Sequence, residues 1–137
     1  MNAIGSAIYT ALAGDATLTS LGCTAVYHEL APPDAEYPFL VHQAVAETDH
    51  YTFGQRAWEE HVWMVRAWDQ GRSTVRAQAL MDRVDEVLTD QALTLPGGAR
   101  QLVCRRTERI PVPAEIDDQT GEHLRGAGAR LVIGVAT

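Results

Sequence analysis

Catalytic fingerprints are missing from this chain. It contains no GxSxG, no Walker loop, no GxGxxG and no HExxH, so enzymatic function has no support in the sequence. Cysteine is scarce. Cys23 and Cys104 are isolated, which gives neither a CxxC metal pair nor a disulfide framework, and both read as small buried hydrophobes in a reducing compartment. Long apolar runs are absent too, since no stretch approaches the roughly 20 residues of a membrane span. The opening MNAIGSAIYTALAG has the look of a leader, but it has no Lys or Arg and is interrupted by Tyr9 and Thr10. A soluble protein of the cytoplasm is expected. Positive charge is likewise short: 11 Lys and Arg stand against 18 Asp and Glu, a net charge of −7 with a pI near 5.1. That balance argues against a surface built to hold nucleic-acid phosphates. It does not exclude a passage for DNA, because an acidic wall would not hold a duplex.

Short ligand spacings are also lacking among the five histidines, His28, His42, His50, His61 and His123. No HxxxH occurs. His42 and His61 fall on adjacent predicted strands and could approach each other, with Glu29, Glu47, Glu60 or Asp49 as a further ligand. No metal and no cofactor is expected. Asp117–Asp118 reads as a solvated turn. Arg105 and Arg106 point to opposite faces of a strand, so they do not form one basic patch.

What the chain does have is tryptophan in one place. Residues 58–68 read WEEHVWMVRAW, with Trp58, Trp63 and Trp68 spaced by five. On a helix such steps scatter the rings around the cylinder. On a strand, Trp58 and Trp68 share one face with Val62 and Met64, and Trp63 shares the other with Val65 and Ala67. The propensities of tryptophan and valine favour the strand. Both of its faces then carry large apolar groups, and a single-layer sheet has only one core face to offer. Something else must cover part of the second.

The remaining pattern reads as one domain, residues 1–137, of 15.0 kDa. Ile4, Ala7, Ile8, Ala11 and Leu12 form the stripe of a first helix that begins near Asn2 and ends at Gly14. Asp15 can cap a second short turn through Leu18 and Leu21. AVYHEL is a short strand, PPDAEYP a loop, and FLVHQAVAET a strand with Phe39, Val41, Gln43 and Val45 on one side. The loop DHYTFGQRA leads to the tryptophan strand. After Gly71 and Ser73, Leu80, Val84, Val87 and Leu88 mark an amphipathic helix, with Arg72, Arg76, Arg83, Asp82 and Glu86 on its solvated side. LTL, the turn PGG and QLVCRRTERIPV read as a hairpin arm. PAEIDDQTGEH is a polar loop. LRGAGARLVIGV is the last strand, its glycines permitting close backbone approach or a bulge. The order is helix, three strands, helix, then two or three strands. This is an α+β fold: a single mixed, mainly antiparallel sheet with two main helices packed on one face.

In that order the segments resemble the small tail-terminator, or tail-completion, proteins of long-tailed bacteriophages and their prophage and gene-transfer-agent relatives. AIYTALAGDATLTSL is similar to the family's opening helix and turn. VYHELAPPDAEYPFLVHQ resembles its strand, Pro-rich loop and following strand. VWMVRAWDQGRSTVRAQALMDRVDEVL resembles its central strand ending in Trp and its long helix, and the closing strand follows a short acidic loop. RGAGAR is poorer in bulky groups than the family's closing strand. The resemblance implies a structural protein of the virion, not an enzyme. It would form a homo-oligomeric ring of about six copies at the head-proximal end of the tail, assembled in the host cytoplasm. Its partners would be the tail tube protein and the head connector or another neck protein. DNA would pass through the ring without specific binding, and no membrane would be involved. The rival readings are another neck component, such as a head-closure or connector-adaptor protein, and a cytosolic metal-binding or enzymatic domain. The two loops DHYTFGQRA and PAEIDDQTGEH are the expected contacts with partners. The candidate interface residues are Tyr51, Phe53, Arg56, Trp63, Asp117, Asp118 and Glu122, aromatic area and charge being what protein interfaces use.

Overall fold

The computed structural model describes residues 3–71, 73–95, 99–116, 121 and 123–136. Its order is α1 (Ala3–Ala13), α2 (Ala16–Ser20), β1 (Val26–His28), β2 (Phe39–Thr52), β3 (Gln55–Gln70), α3 (Val75–Leu88), β4 (Arg100–Ile116) and β5 (His123–Ala136). No described helix is long and apolar enough to cross a membrane.

The helices form where the apolar stripes demand. Ile4, Ala7, Ile8 and Leu12 of α1 are buried, as are Ala77, Leu80, Met81, Val84 and Leu88 of α3. Asp15 caps α2 by accepting the Leu18 N–H at 3.0 Å, which satisfies a donor the first turn leaves free. The same carboxylate receives a forked pair from Arg83 of α3, at 2.9 and 2.8 Å. Asp15 therefore ties the second turn to the long helix. At the start of α3, Arg76 forks onto Asp69 at the end of β3, a carboxylate only 3% exposed. Two arginines assigned to a solvated face thus hold elements together.

The sheet order is β1-β2-β3-β5-β4. β1 lies parallel to β2, and every other pairing is antiparallel. The expected α+β sheet is present, with α1 and α3 contributing to one core cluster together with Leu40, Trp63, Val65, Ala67, Cys104, Ala129, Leu131, Ile133 and Val135. Those strand residues share one face, because the registers pair Trp63 with Leu131, Val65 with Ala129 and Ile133 with Cys104.

Three expectations are corrected. Most of DHYTFGQRA is strand, not loop: β2 runs to Thr52, β3 starts at Gln55, and only Phe53 and Gly54 turn. Both have positive φ, 52° and 79°, the backbone of the tight turn whose twist matches a hairpin. LTL forms no strand, so β4 has no hairpin partner before it and pairs with β5 instead; the PGG of the expected turn lies outside the described residues. Finally, Pro113–Ile116 belong to β4, which shortens the polar loop that follows.

Candidate assembly interfaces

Trp63 was expected at an interface and lies in the core. It is 1% exposed, and its indole N–H donates to Nδ1 of the buried His42 at 3.2 Å. The face of β3 that packs under helices is the one bearing Trp63, Val65 and Ala67. Trp58 and Trp68 stand on the other face with Val62, Met64 and Arg66, all partly buried.

Glycines on β5 explain how that second face is filled without a second layer. Gly126 is placed so that a Cβ would meet Trp68 at 3.2 Å and Val112 at 2.9 Å. A Cβ on Gly134 would meet Val103 at 3.0 Å and Trp58 at 3.4 Å. Side chains of β3 and β4 lean inward from either side over the bare backbone of β5, which is what glycine in a strand permits. Trp58 also stacks on the His50 ring, at 3.9 Å between centroids and 8° between planes. At one corner the Pro-rich segment folds over, leaving a groove lined by Leu30, Tyr37, Phe39, Val41, Trp68 and Leu124. Elsewhere no described helix covers this face. Its apolar patch centres on Val62, Met64 and Val132, and the ion pair of Arg130 with Glu108, 2.8 Å, borders it.

The β2–β3 turn is the second surface. Phe53 at its tip is fully exposed and Tyr51 is 65% exposed. β5 pairs with β3 only as far as Trp58↔Ala136, so the tip projects past the end of its neighbour. Arg56 is half-exposed and lies 3.5 Å from Glu59 and 4.0 Å from Asp49, surface pairs that cost little to exchange for a partner's carboxylate. Asp117, Asp118 and Glu122 lie outside the described residues. Their flanks, Ile116 and His123, pair with each other at the end of β5 that adjoins Gln70. The β2–β3 turn and the Ile116–His123 pair therefore lie at opposite ends of the sheet, a strand length of about 50 Å apart.

The histidines do not gather. His42 faces Val65 across the sheet and His61 faces Glu47, further along toward the tip, so the approach of His42 to His61 does not occur. No three of the described His, Cys, Asp and Glu side chains are grouped to hold a metal ion. His61 is nearly buried, with Nε2 3.1 Å from Glu59 and Nδ1 3.4 Å from Glu47. His42 is fully buried, and burial, with His28 adding a smaller repulsion, pulls its pKa down to about 4. With Nδ1 accepting from Trp63, the proton of the neutral ring sits on Nε2, which has no partner among the described residues. These are packing roles. Strand parity had put Trp58 and Trp68 together on one face; what sequence reasoning missed is that Gly126, Gly128 and Gly134 lie on that same side of the pleat and make room there.

The architecture is a single sheet with helices on one face, a second face half-filled by its own side chains and an aromatic hairpin tip. The chain belongs to the family described as "Tail completion protein gp17", whose model matches residues 6–110. It is accordingly a structural component of a phage-type virion tail. Comparison with curated protein sequences gives no match. Among solved structures, a chain of "Virion of native gene transfer agent (GTA) particle" superposes with a TM-score of 0.75 over 98% of this chain and 96% of that one, at 19% identity. At that identity the likeness is one of fold.

Proposed function

We propose that this protein is the tail terminator: a ring of about six copies that caps the head-proximal end of the tail tube, stops tube polymerisation and provides the joint to the head connector. The observation that carries this reading is the family match across residues 6–110; the fold shared with a chain of a gene transfer agent virion supports it. Such a role needs no chemistry. It needs a subunit that binds the last tube ring and offers nothing on which another tube subunit can add, and a ring multiplies weak contacts into a firm cap.

The two ends of the sheet suit the two duties. The Phe53 tip, aromatic and projecting, is an anchor for one partner, and Asp117, Asp118 and Glu122, which lie outside the described residues, are the candidate contacts with the other. DNA passes along the acidic ring without being held, consistent with the net charge of −7. The test is native mass spectrometry and negative-stain imaging of the protein alone and mixed with tail tubes and with connector. Rings that bind tube ends support the terminator; rings that bind only the connector make it a head-side neck protein. Monomers in every mixture would remove the ring.

A further inference from the structure

β2 keeps a bare edge that β4 does not. β4 is last in the sheet order, but the segment after α3 runs along it. There the Asp90 N–H donates to the Cys104 carbonyl at 2.7 Å and the Arg106 N–H to Thr89 Oγ1 at 3.3 Å. The Gln101 side chain bonds the Gln91 carbonyl and the Leu93 N–H at 2.7 and 3.0 Å. On the other side β1 covers β2 only through Val26↔Leu40, Tyr27↔Val41 and His28↔His42. From Ala44 to Asp49 every residue is exposed, and no described strand lies beyond them.

The registers say which backbone groups this edge presents. Leu40 donates outward to the Ala25 carbonyl at 3.1 Å, and the His42 carbonyl accepts from Glu29 at 2.9 Å. Both stand opposite odd-numbered residues of β3, Ala67 and Val65. β3 pairs with β5 without a register shift, so alternation along β3 is unbroken. The extra residue of β2 between Ala44 and Ala46 brings Glu47 and Asp49 opposite His61 and Glu59. Their N–H and C=O groups therefore also turn outward, and no described group receives them.

Beside this edge is an incomplete polar site. On the helix face Glu47, Glu59 and His61 line a cleft of about 330 Å³ whose apolar part includes Ile4, Leu95 and Val135. Besides packing, His61 brings an unmet need. It is 6% exposed, its Nε2 lies 3.1 Å from Glu59, and its Nδ1 has no hydrogen-bond partner among the described residues. With the Nε2 proton given to Glu59, Nδ1 is an acceptor, and so is the Glu47 carboxylate 3.4 Å away. Two acceptors face each other with no donor between them. Arg56 lies 3.5 Å from Glu59 and 4.0 Å from Asp49, whereas Glu47 has no arginine partner among the described residues. An apolar cleft with an acidic rim fits an aliphatic stem that ends in a cation.

We infer that Ala44–Asp49 is a docking edge for an extended segment of another protein, which adds a strand to the sheet and sets an arginine or lysine into the cleft beside Glu47 and His61. Main-chain bonds to Glu47 and Asp49 hold the segment, and its alternate side chains give selectivity. The residue beside Glu47 is basic. On the other face Ala46 and Thr48 favour apolar or β-branched neighbours. The partner segment thus alternates basic and apolar residues. A second copy of this chain does not fit: its β4 edge is occupied, and its β2 edge would set Glu47 and Asp49 against their like. The inference rests on the proposed function only for where the segment is sought, among tube and connector proteins.

The probe is an octapeptide of alternating arginine and valine, compared with one of the same composition arranged in two blocks. Fluorescence anisotropy at low salt measures binding to the isolated protein, and hydrogen exchange maps it. The alternating peptide should bind at least tenfold more tightly, and should slow exchange of the Glu47 and Asp49 amides at least tenfold. Glu47→Pro removes an outward N–H that the sheet itself does not use and should abolish the preference for alternation. Glu47→Gln keeps the edge and should weaken binding severalfold. Equal binding of the two peptides, no binding of the alternating one, or protection that spares Glu47 and Asp49 overturns the docking edge. Wild-type affinity in Glu47→Gln overturns the cleft as the seat of the cation. If Glu47→Pro does not fold, exchange in the unaltered chain decides alone. The assay uses neither rings nor tubes, so its failure leaves the terminator reading standing.

Discussion

Phe53 is the residue whose position is hardest to explain by folding alone. It is fully exposed and held at φ 52°, a region that bulky side chains rarely adopt and that Asp and Asn tolerate better. Phe53→Asp should therefore leave the unfolding temperature unchanged or slightly raised. If the tip is an anchor, the same change should weaken binding to tube ends or connector by tenfold or more, the scale of a lost aromatic hot spot, about 2 kcal/mol. Thermal unfolding and a pull-down on the same preparation measure the two effects; unchanged binding would release the tip from the interface. His42 makes the opposite kind of prediction, since it is buried and concerns stability. Its pKa in the fold, about 4, lies below the 6.5 of an ordinary histidine. Between those values the unfolded chain binds a proton that the folded chain refuses, so stability is full above about pH 6.5 and declines on acidification until pH 4. The loss is on the order of 3 kcal/mol. His42→Gln keeps an acceptor for the Trp63 N–H and removes the titration. Urea unfolding from pH 7 to pH 4 should show a smaller slope in the variant than in the wild type; parallel slopes would mean that His42 is not the group responsible.

Among the elements, β5 carries the clearest test, because three of its residues answer to the tryptophan strand. A methyl at Gly126 would press on Val112 at 2.9 Å and Trp68 at 3.2 Å; at Gly134 it would meet Val103 at 3.0 Å and Trp58 at 3.4 Å; at Gly128 its nearest neighbour is the Ile110 carbonyl at 3.4 Å. Gly126→Ala should destabilise by about 1–3 kcal/mol through overpacking. Gly134→Ala should cost less. Gly128→Ala should be neutral or stabilising by about 0.5 kcal/mol, since it removes chain entropy without a clash. Chemical denaturation gives all three values, and the reverse order would show that the tryptophans do not rest on β5.

The same elements show what a sequence can and cannot tell. The strand through Trp58–Trp68 and its two apolar faces were legible because period-2 alternation survives along its whole length. The stripes of α1 and α3 were legible for the same reason at helical period, and the Asp15 cap because it is a local side-chain-to-backbone bond. The outer halves of β2 and β4 were not. DHYT and PAEI present no apolar face, because those rows are exposed on both sides of the sheet, and hydrophobic periodicity has nothing to report there. Phe53 hid the hairpin further, since a phenylalanine is an unusual occupant of a left-handed turn position. Which face of the tryptophan strand meets the helices is a tertiary choice, so Trp63 could be taken for a surface group until its partners Leu131 and His42 were placed.

At the scale of the whole molecule, one architecture accounts for these features together. Helices close one face of the sheet. Glycine and tryptophan flatten the other. The β2–β3 turn projects past the described end of β5 with Phe53 at its tip. All eleven cationic residues are arginine and none is lysine, which suits planar, bidentate pairing with carboxylates across contacts. The family to which the chain belongs is one of phage tail completion proteins. The decisive measurement is the length distribution of tubes polymerised from the tail tube protein with and without this chain, imaged by electron microscopy. The account predicts that sub-stoichiometric amounts arrest growth and leave a ring at one end of each tube. Tubes that grow to the same lengths with bare ends, in the presence of excess folded protein, would contradict it.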